Sequence, residues 1–317
     1  MEKTDKIFIS GSTGLVGSAF VRRLKAKGYT NLLTDRIELL NRQEIDDYLF
    51  QNYDIHTIIM CAAKVGGIGA NSRSNSTFLS ENMQMELNLI NSAADNGIKN
   101  FLFLGSSCIY PKNSKIPIKP DQLLSKKLEP TNEGYALAKI CGIKLCQFLR
   151  RENGLNYHSI MPCNLYGPND NYDLENCHVL PALIRKVHEC YMNNVRTIEL
   201  WGSGFPLREF LYSDDLADAG ITILERENQK DIPDIVNIGS GKEISILDLA
   251  YTIIGVIKNY RKEKWSPEII CNTNMPDGVY SKLMDSSVIR SYGWIPMTKL
   301  ANGIKKTYED TMANMYV

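Results

Sequence analysis

The chain has 317 residues, of which 44% are hydrophobic and 23% are charged, and this composition is typical of a soluble globular protein. Its 36 lysine and arginine residues balance its 36 aspartate and glutamate residues, which excludes a bulk attraction for nucleic acid or for an anionic membrane. An anionic ligand therefore requires a local cluster of cations. No apolar run approaches the roughly 18–20 residues that span a bilayer.

The N-terminus and the cysteines indicate a cytoplasmic protein. The polar segment 1–6 leads directly into a strand-like segment, which is not the pattern of a signal peptide. No Cys-x-x-Cys pair occurs, and the four histidines do not complete a zinc pattern with the cysteines. We expect most of the cysteines to be reduced core residues; they lie at positions 61, 108, 141, 146, 163, 177, 190 and 271.

Strand-like and helix-like segments alternate along the first half of the chain. The predicted strands are residues 6–10, 31–34, 56–61, 101–104 and 158–161. The predicted helices are residues 15–27, 43–51, 78–96 and 134–152. Apolar strands that alternate with helices are typical of an α/β fold in which helices cover both faces of a parallel sheet. The pattern therefore predicts a doubly wound, Rossmann-type sheet.

The alternation is interrupted after about residue 165, where proline and glycine become frequent. It resumes near Asp214, and residues 235–238 form a further predicted strand. We therefore expect a dinucleotide-binding domain at residues 1–165 that takes back roughly 209–241. The remainder of 166–317 is predicted to form a smaller, mixed α/β domain that binds the substrate.

A glycine-rich loop follows the first predicted strand and opens the first predicted helix. Its sequence is Gly11-Ser12-Thr13-Gly14-Leu15-Val16-Gly17. Glycines at this spacing permit a tight turn and let the backbone approach a pyrophosphate, while the N–H groups at the helix start attract phosphate. Asp35 follows the second strand, where a carboxylate would hold a ribose 2′-hydroxyl, but the adjacent Arg36 could hold a 2′-phosphate. We favour NADPH over NADH because of Arg36.

Tyr135 and Lys139 lie four residues apart in a predicted helix, so both side chains project from one face. A free tyrosine has a pKa near 10, and a nearby ammonium together with a cofactor ribose can lower that pKa enough for proton transfer. The fourth predicted strand ends in Gly105-Ser-Ser-Cys-Ile-Tyr110. If this strand persists, Ser106 and Cys108 face one side and Ser107 the other. Ser106 is then the preferred hydrogen-bond donor to a substrate carbonyl.

With these motifs in place, the sequence resembles the extended short-chain dehydrogenase/reductase family along nearly its whole length. The likeness is most specific in the segments 62–67, 105–111, 129–135, 164–168, 178–181, 201–204 and 208–210. Three positions depart from the pattern of the most similar members. Thr13 stands where a basic residue is frequent, Gly134 replaces a proline before Tyr135, and Cys163 stands where a threonine is usual.

The resemblance implies NADPH-dependent reduction of the C4 ketone of a GDP-linked 4-keto-6-deoxy sugar, preceded by epimerisation at C3 and C5. A ketone at C4 acidifies the neighbouring hydrogens, and inversion requires a base on one face and an acid on the other. The resemblance assigns the base to Cys108 and the acid to His178. Tyr135, Lys139 and Ser106 then carry out the reduction.

The resemblance also supplies binding residues and a partner. The implied cofactor-binding residues are Gly11, Ser12, Thr13, Gly14, Leu15, Val16, Gly17, Arg36, Lys139, Pro162, Asn164, Leu165 and His178. The implied substrate-binding residues are Ser107, Asn164, Lys186, Trp201, Arg208 and Asp277. Guanidinium and ammonium groups suit the diphosphate, and the indole suits a base or sugar ring. The resemblance further implies a homodimer built on the Tyr135 helix and the helix before it.

Three alternatives remain open from the sequence. The chain could reduce a ketone that a separate enzyme has already epimerised, on a hexose or a heptose, with Cys108 and His178 idle. It could be a nucleotide-sugar epimerase that retains and recycles NAD, which net consumption of NADPH would exclude. It could be a dinucleotide sensor without catalysis, although the intact Tyr135–Lys139 pair argues against this.

Overall fold

The alternating segments form one parallel sheet, as predicted. The computed structural model describes residues 1–262, 264–275 and 277–315. The strands of the main sheet are β1 (Lys6–Ser10), β2 (Leu32–Leu33), β3 (Ile55–Met60), β4 (Asn100–Leu104), β5 (Asn156–Pro162) and β9 (Ile235–Ile238). They are parallel and lie in the order β2-β1-β3-β4-β5-β9. The α/β fold class is confirmed.

Helices cover both faces of this sheet and continue into the second half. Their bounds are α1 (Leu15–Ala26), α2 (Arg42–Gln51), α3 (Ile68–Arg73), α4 (Asn75–Asp95), α5 (Glu133–Asn153), α6 (Val179–Met192), α7 (Ser213–Leu224), α8 (Ile246–Arg261), α9 (Ser287–Ser291) and α10 (Leu300–Met315). Local chemistry sets several ends: the Asn41 side chain accepts the Glu44 N–H at the start of α2, and Gly154, at φ +69°, ends α5. In the described part of the chain, no helix combines the length and the apolar character needed to span a membrane.

Two smaller sheets lie outside the main sheet. The remaining strands are β6 (Asn164–Tyr166), β7 (Thr197–Trp201), β8 (Leu207–Tyr212), β10 (Glu243–Ser245) and β11 (Glu268–Asn272). Strands β10, β8 and β6 form one sheet, and β11 pairs with β7. Of the segment 209–241, β9 therefore belongs to the main sheet whereas β8 belongs to a small one. A separate apolar cluster, which includes Leu183, Ile253 and Tyr308, lies beneath these small sheets.

The order of the strands places a crevice at the carboxyl end of the main sheet. The chain moves outward from β1 to β2 and then returns past β1 to β3, so the direction of winding reverses between β1 and β3. In open α/β sheets ligands bind outside the carboxyl ends of the strands at such a reversal. The glycine loop after β1 and the polar turn after β4 both open onto this edge.

Strand β4 does not continue far enough for strand alternation to set the directions of Ser106, Ser107 and Cys108. The strand ends at Leu104, and residues Ser107–Ile109 form a single 3-10 turn. Ser106 caps this turn, because its Oγ accepts a hydrogen bond from the Cys108 N–H at 3.2 Å. The directions of the three side chains are therefore set by the turn and not by strand alternation.

Candidate active site

The glycine loop is shaped by two contacts that exclude a side chain. Gly11 has φ +68°, and a Cβ there would lie 2.8 Å from the backbone of Ala62. A Cβ on Gly17 would lie 2.1 Å from the Gly11 carbonyl oxygen, whereas a Cβ on Gly14 would meet no atom closer than 3.6 Å. Gly14 is the N-cap of α1 and gives it no side-chain cap. The loop therefore presents uncapped N–H groups at the start of a helix, which is the arrangement that binds phosphate.

The Gly17→Ala substitution should destabilise the protein in the absence of any ligand. The new methyl group would collide with the Gly11 carbonyl, so α1 must move away from β1 at a cost of about 1–3 kcal/mol, and we expect a fall in the unfolding temperature of several degrees. Gly14→Ala is the matched control and should leave the unfolding temperature of the free protein nearly unchanged. Thermal unfolding followed by circular dichroism measures both. Equal losses for the two variants would contradict the steric argument.

The residues after β2 are arranged to leave one cation free. The Asp35 Oδ2 accepts a hydrogen bond from the Tyr48 hydroxyl of α2 at 2.7 Å. Arg36 is exposed and forms no hydrogen bond or ion pair with any residue that the structure describes. The Asp35 carboxylate is thus held by α2, while the guanidinium beside it remains available for an anion.

The turn after β4 and the helix α5 bring the predicted reductase residues together. Ser106 lies close enough to Tyr135 to lower the pKa of its phenol, and the Lys139 Nζ lies 5.9 Å from the centre of the Tyr135 ring. Lys139 is 2% exposed and donates a hydrogen bond to the Leu104 carbonyl oxygen at 2.9 Å. The spacing of Tyr135 and Lys139 on one helical face therefore produces the predicted proximity.

The protein surroundings raise the pKa of Tyr135, whereas the ammonium alone was expected to lower it. Burial raises the pKa of Tyr135, Cys108 and Glu86 raise it further, and the hydrogen bond with Ser106 opposes them. The phenol is consequently protonated throughout the neutral range. A protonated phenol suits a group that gives a proton to a ketone oxygen.

A carboxylate that was not predicted as a site residue lies against the Lys139 ammonium. Glu86 in α4 is 1% exposed, and its Oε1 lies 3.0 Å from the Lys139 Nζ. Burial raises the pKa of Glu86 and the ammonium opposes this shift. One signal was present in the sequence, since Glu86 is the one carboxylate in the otherwise apolar and amide-bearing stretch 82–90. A charge inside such a stretch indicates a buried partner.

The polar neighbour of the Cys108 thiol is an amide. The Asn132 Nδ2 lies 3.1 Å from the Cys108 Sγ and donates to it. Asn132 is the N-cap residue of α5, yet its side chain caps no helical N–H, and its Oδ1 has no hydrogen-bond partner in the described ranges. Asn132 lies within the segment 129–135, which resembles the family, but it was not among the predicted site residues. The structure places it between the start of α5 and the thiol.

His178 stands apart from this group, at the start of α6. It is the N-cap of that helix, and its side chain makes no capping hydrogen bond. The residue is exposed to solvent, yet desolvation by the surrounding protein atoms lowers the pKa of the imidazole. The segment before it is tied to α3 by a hydrogen bond from the Gly67 N–H to the Asn176 carbonyl oxygen at 2.7 Å. His178 is thereby held beside the loop that follows β3.

A departure from the family pattern has a steric reason. The Gly134 N–H donates a hydrogen bond to the Asn75 Oδ1 at 2.9 Å. A Cβ at position 134 would lie 2.2 Å from the Asn75 carbonyl oxygen. Proline has no N–H and carries a ring in this position. The close contact between α4 and the start of α5 therefore requires glycine here.

The predicted substrate residues form two neighbouring contacts in the second half of the chain. The Lys186 Nζ lies 5.4 Å from the centre of the Trp201 ring, which is 59% exposed. Arg208 donates to the Val279 carbonyl oxygen at 2.6 Å, and its charge lowers the pKa of Asp277 after the larger effect of hydrogen bonds from Ser203. An exposed indole beside cations is a suitable surface for a nucleotide.

The other predicted residues lie around the same edge of the main sheet. Pro162 is buried at the end of β5, and Asn164 and Leu165 follow in β6. The Asn164 Nδ2 donates to the Glu209 carbonyl oxygen at 2.9 Å, which joins β6 to β8. Ser107 is 7% exposed within the turn after β4. Around the glycine loop, the Ser12 hydroxyl donates to the Thr34 carbonyl oxygen at 2.9 Å, while Thr13 is exposed.

Comparison with known proteins identifies the family. Residues 7–239 match the NAD dependent epimerase/dehydratase family. The chain belongs to this family. The resemblance to the extended short-chain dehydrogenases/reductases is thus confirmed, and the glycine loop, the turn after β4 and the Tyr135–Lys139 pair all lie within the matched residues of this epimerase/dehydratase chain.

Two relatives from distant organisms carry the same name. The chain is 45% identical to GDP-L-fucose synthase 1 of Arabidopsis thaliana, over 99% of this chain and 95% of that protein. It is 40% identical to GDP-L-fucose synthase of Escherichia coli (strain K12), over 98% and 97%. The specific segments noted in the sequence also resemble this enzyme.

One solved structure of similar fold belongs to an enzyme that is named for a heptose. The GDP-6-OMe-4-keto-L-xylo-heptose reductase of Campylobacter jejuni superposes with a TM-score of 0.89 and is 30% identical. The match covers 99% of both chains. The proteins similar to this chain therefore include enzymes named for a GDP-fucose and an enzyme named for a GDP-heptose.

Proposed function

We propose that this protein is an NADPH-dependent oxidoreductase that reduces the C4 ketone of a GDP-linked 4-keto-6-deoxy sugar after epimerising C3 and C5, as GDP-L-fucose synthase does. The observation that carries the proposal is the meeting of Ser106, Cys108 and Tyr135 at the end of β4. The turn after β4 and the start of α5 thus bring together a hydroxyl, a thiol and a phenol. These are the groups that a reduction and a proton exchange require.

The residues present fit NADPH. The uncapped start of α1 and the space beside Gly14 would receive the pyrophosphate, and the free guanidinium of Arg36 would receive a 2′-phosphate. Lys139 and His178, with Pro162, Asn164 and Leu165 at the sheet edge, would hold the nicotinamide end. Bound NADPH supplies the hydride that reduces C4.

In the reduction, this chain's residues bind the ketone and give it a proton. The Ser106 hydroxyl hydrogen-bonds the C4 oxygen and orients it toward Tyr135. The Tyr135 phenol, kept protonated by burial, donates its proton to that oxygen as negative charge develops there. The Lys139 ammonium then stabilises the phenolate that remains.

In the epimerisation, Cys108 removes the hydrogen at C3 or C5 and His178 returns a proton from the other face. The Asn132 amide, which donates to the Sγ, holds the sulfur of this base in place. The ketone oxygen carries the resulting negative charge beside Ser106 and Tyr135. The same donors therefore serve both reactions.

Turnover in deuterated water tests this function. The protein is incubated with NADPH and the 4-ketone of GDP-6-deoxymannose in D2O, and the product is examined by NMR. We expect stoichiometric oxidation of NADPH and deuterium at C3 and C5. A reduced product without deuterium would remove the epimerase step, and no consumption of NADPH with this ketone or with its epimer would refute the reductase.

The similarity to a GDP-heptose reductase supports a second candidate function. A reductase that acts only on a pre-epimerised hexose or heptose would use the same Ser106, Tyr135 and Lys139 and leave Cys108 idle. Oxidation of NADPH with the pre-epimerised ketone, and none with the un-epimerised one, would support this alternative.

The Arg36→Ala variant tests the choice of dinucleotide. Because the guanidinium is exposed and has no partner among the described residues, its loss should weaken NADPH binding by about 10-fold or more, which corresponds to one charge-assisted hydrogen bond. NADH binding should be nearly unchanged, and fluorescence titration measures both. An equal effect on the two cofactors would show that Arg36 does not contact the 2′-phosphate.

We further propose that residues 1–165 and roughly 209–241 bind the cofactor, that the remainder of 166–317 binds the GDP-sugar, and that the protein is a cytoplasmic homodimer. Exposed residues Leu137, Cys141 and Phe148 form a stripe along α5, which packs on α4. Two copies of this helix pair can form a four-helix bundle that covers the stripe. Light scattering after size-exclusion chromatography measures the mass in solution.

A further inference from the structure

A buried carboxylate and a buried ammonium face each other between α4 and α5. The Glu86 Oε1 lies 3.0 Å from the Lys139 Nζ, and each side chain is only 2% exposed. Removing two charges from water costs several kcal/mol per ion, so a buried pair adds little to stability by itself. The presence of this pair therefore calls for a role other than stability.

Three groups of the protein surround the Lys139 Nζ. Its Nζ donates to the Leu104 carbonyl oxygen at 2.9 Å and lies 4.8 Å from the centre of the Phe103 ring. A carbonyl oxygen, a ring face and a carboxylate all attract a cation. Of these three, only Glu86 carries a full negative charge.

The packing of α5 leaves room for the carboxylate. A Cβ at position 142 would lie 2.8 Å from the Glu86 Oε2 and 2.5 Å from the Phe103 ring, so only glycine fits. Neither oxygen of the Glu86 carboxylate has a hydrogen-bond partner in the part of the chain that the structure describes, so its contact with Lys139 is an ion pair. Both helices are thus shaped around a carboxylate whose one strong contact is Lys139.

Other titratable groups face this pair from each neighbouring element. Tyr135 and Cys108 lie on its active-site side, Cys61 follows β3 near Lys139, and Cys141 and Cys146 of α5 lie near Glu86. Burial raises the pKa of Cys61 and Cys146, so these thiols stay neutral across the neutral range. Among these groups, Glu86 is the one that pairs with Lys139.

We propose that Glu86 is a positioning residue for the reduction: its carboxylate pairs with the Lys139 ammonium and holds it in place beside Tyr135. This inference rests on the proposed reductase function. Without the carboxylate, an unpaired ammonium in this buried site loses its proton more easily, while any ammonium that remains charged acts more strongly on the phenol. Through either effect, the Tyr135–Lys139 pair loses a proton at a lower pH than it does in the unaltered protein. Above that pH the pair can no longer donate the proton.

The test compares the Glu86→Gln variant with Glu81→Gln. Glu81 lies on the same helix, and its carboxylate pairs with Lys64 at 2.8 Å near the surface, so its variant removes an equal charge without touching Lys139. For E86Q we expect the alkaline limb of kcat for ketone reduction to move down by about one pH unit or more. The limb of E81Q should coincide with that of the unaltered protein.

NADPH binding provides a readout that needs no turnover. If Lys139 loses its proton in E86Q, the affinity for NADPH relative to the unaltered protein should fall about three- to tenfold between pH 7 and pH 9, as followed by fluorescence. Unchanged affinity together with an unchanged pH profile would overturn the role of Glu86. Failure of the unaltered protein to reduce any ketone would instead refute the proposed function, and the NADPH titration would still decide the role of Glu86.

The Glu86→Asp variant separates charge from folding. It keeps the negative charge on a side chain one methylene shorter, so its alkaline limb should remain where it is in the unaltered protein even if kcat falls. If E86Q does not fold, as measured by thermal unfolding, E86D carries the test alone. A limb that moves down in E86D would show that the charge at position 86 does not hold Lys139 protonated, and would overturn the proposal.

Discussion

Replacing Tyr135 by phenylalanine should lower kcat for ketone reduction by about 10²–10⁴-fold, the usual contribution of a positioned acid. The ring and its packing remain, so only the hydroxyl that bonds Ser106 is lost. NADPH binding should change little, because the substitution leaves the glycine loop and Lys139 in place. Steady-state kinetics and a fluorescence titration of NADPH measure the two quantities.

The Tyr110→Phe variant is a matched control for this prediction. Tyr110 lies just after the same turn, but its hydroxyl donates to the Asn237 Oδ1 at 2.6 Å and is buried away from Ser106. Its loss should lower stability by about 1 kcal/mol and leave kcat nearly unchanged. A Tyr135→Phe variant with full activity would refute the reductase mechanism and favour a protein that binds the dinucleotide without catalysis.

The second large effect is expected on hydrogen exchange at C3 and C5 when the Cys108 thiol is replaced. Cys108→Ser should reduce the incorporation of deuterium at C3 and C5 by about 10²–10⁴-fold, because a hydroxyl ionises far less readily than a thiol and cannot act as the base. Reduction of a ketone that is already epimerised should persist, since Ser106 and Tyr135 are untouched. The split between exchange and reduction distinguishes the two chemistries in one pocket.

Cys141→Ser gives the matching control, because Cys141 is an exposed thiol on the surface of α5. It should leave both exchange and reduction intact. Full exchange in the Cys108→Ser variant would assign the base to another residue. Absence of exchange in the unaltered protein, with reduction retained, would favour the reductase that receives a pre-epimerised sugar.

Much of the site could be predicted because its signals are local. The glycine loop between a strand and a helix, and two side chains four residues apart on α5, are fixed by short-range geometry. The turn at Ser107–Ile109 was not predicted, because continuation of a strand by a few residues depends on pairing with its neighbours. Ser106, which strand alternation favoured, does lie beside Tyr135, but it is placed there because it caps that turn.

The α/β class, the glycine loop and the Tyr135–Lys139 face can be inferred from the order of the residues, because strand and helix periods and the spacing of the glycines are local properties. The environment of these groups depends instead on tertiary packing. Glu86 and Lys139 are 53 residues apart along the chain, and Asn132 and Cys108 are 24 residues apart. Such contacts depend on how α4, α5 and β4 pack, and the packing sets burial and therefore the direction of each pKa shift.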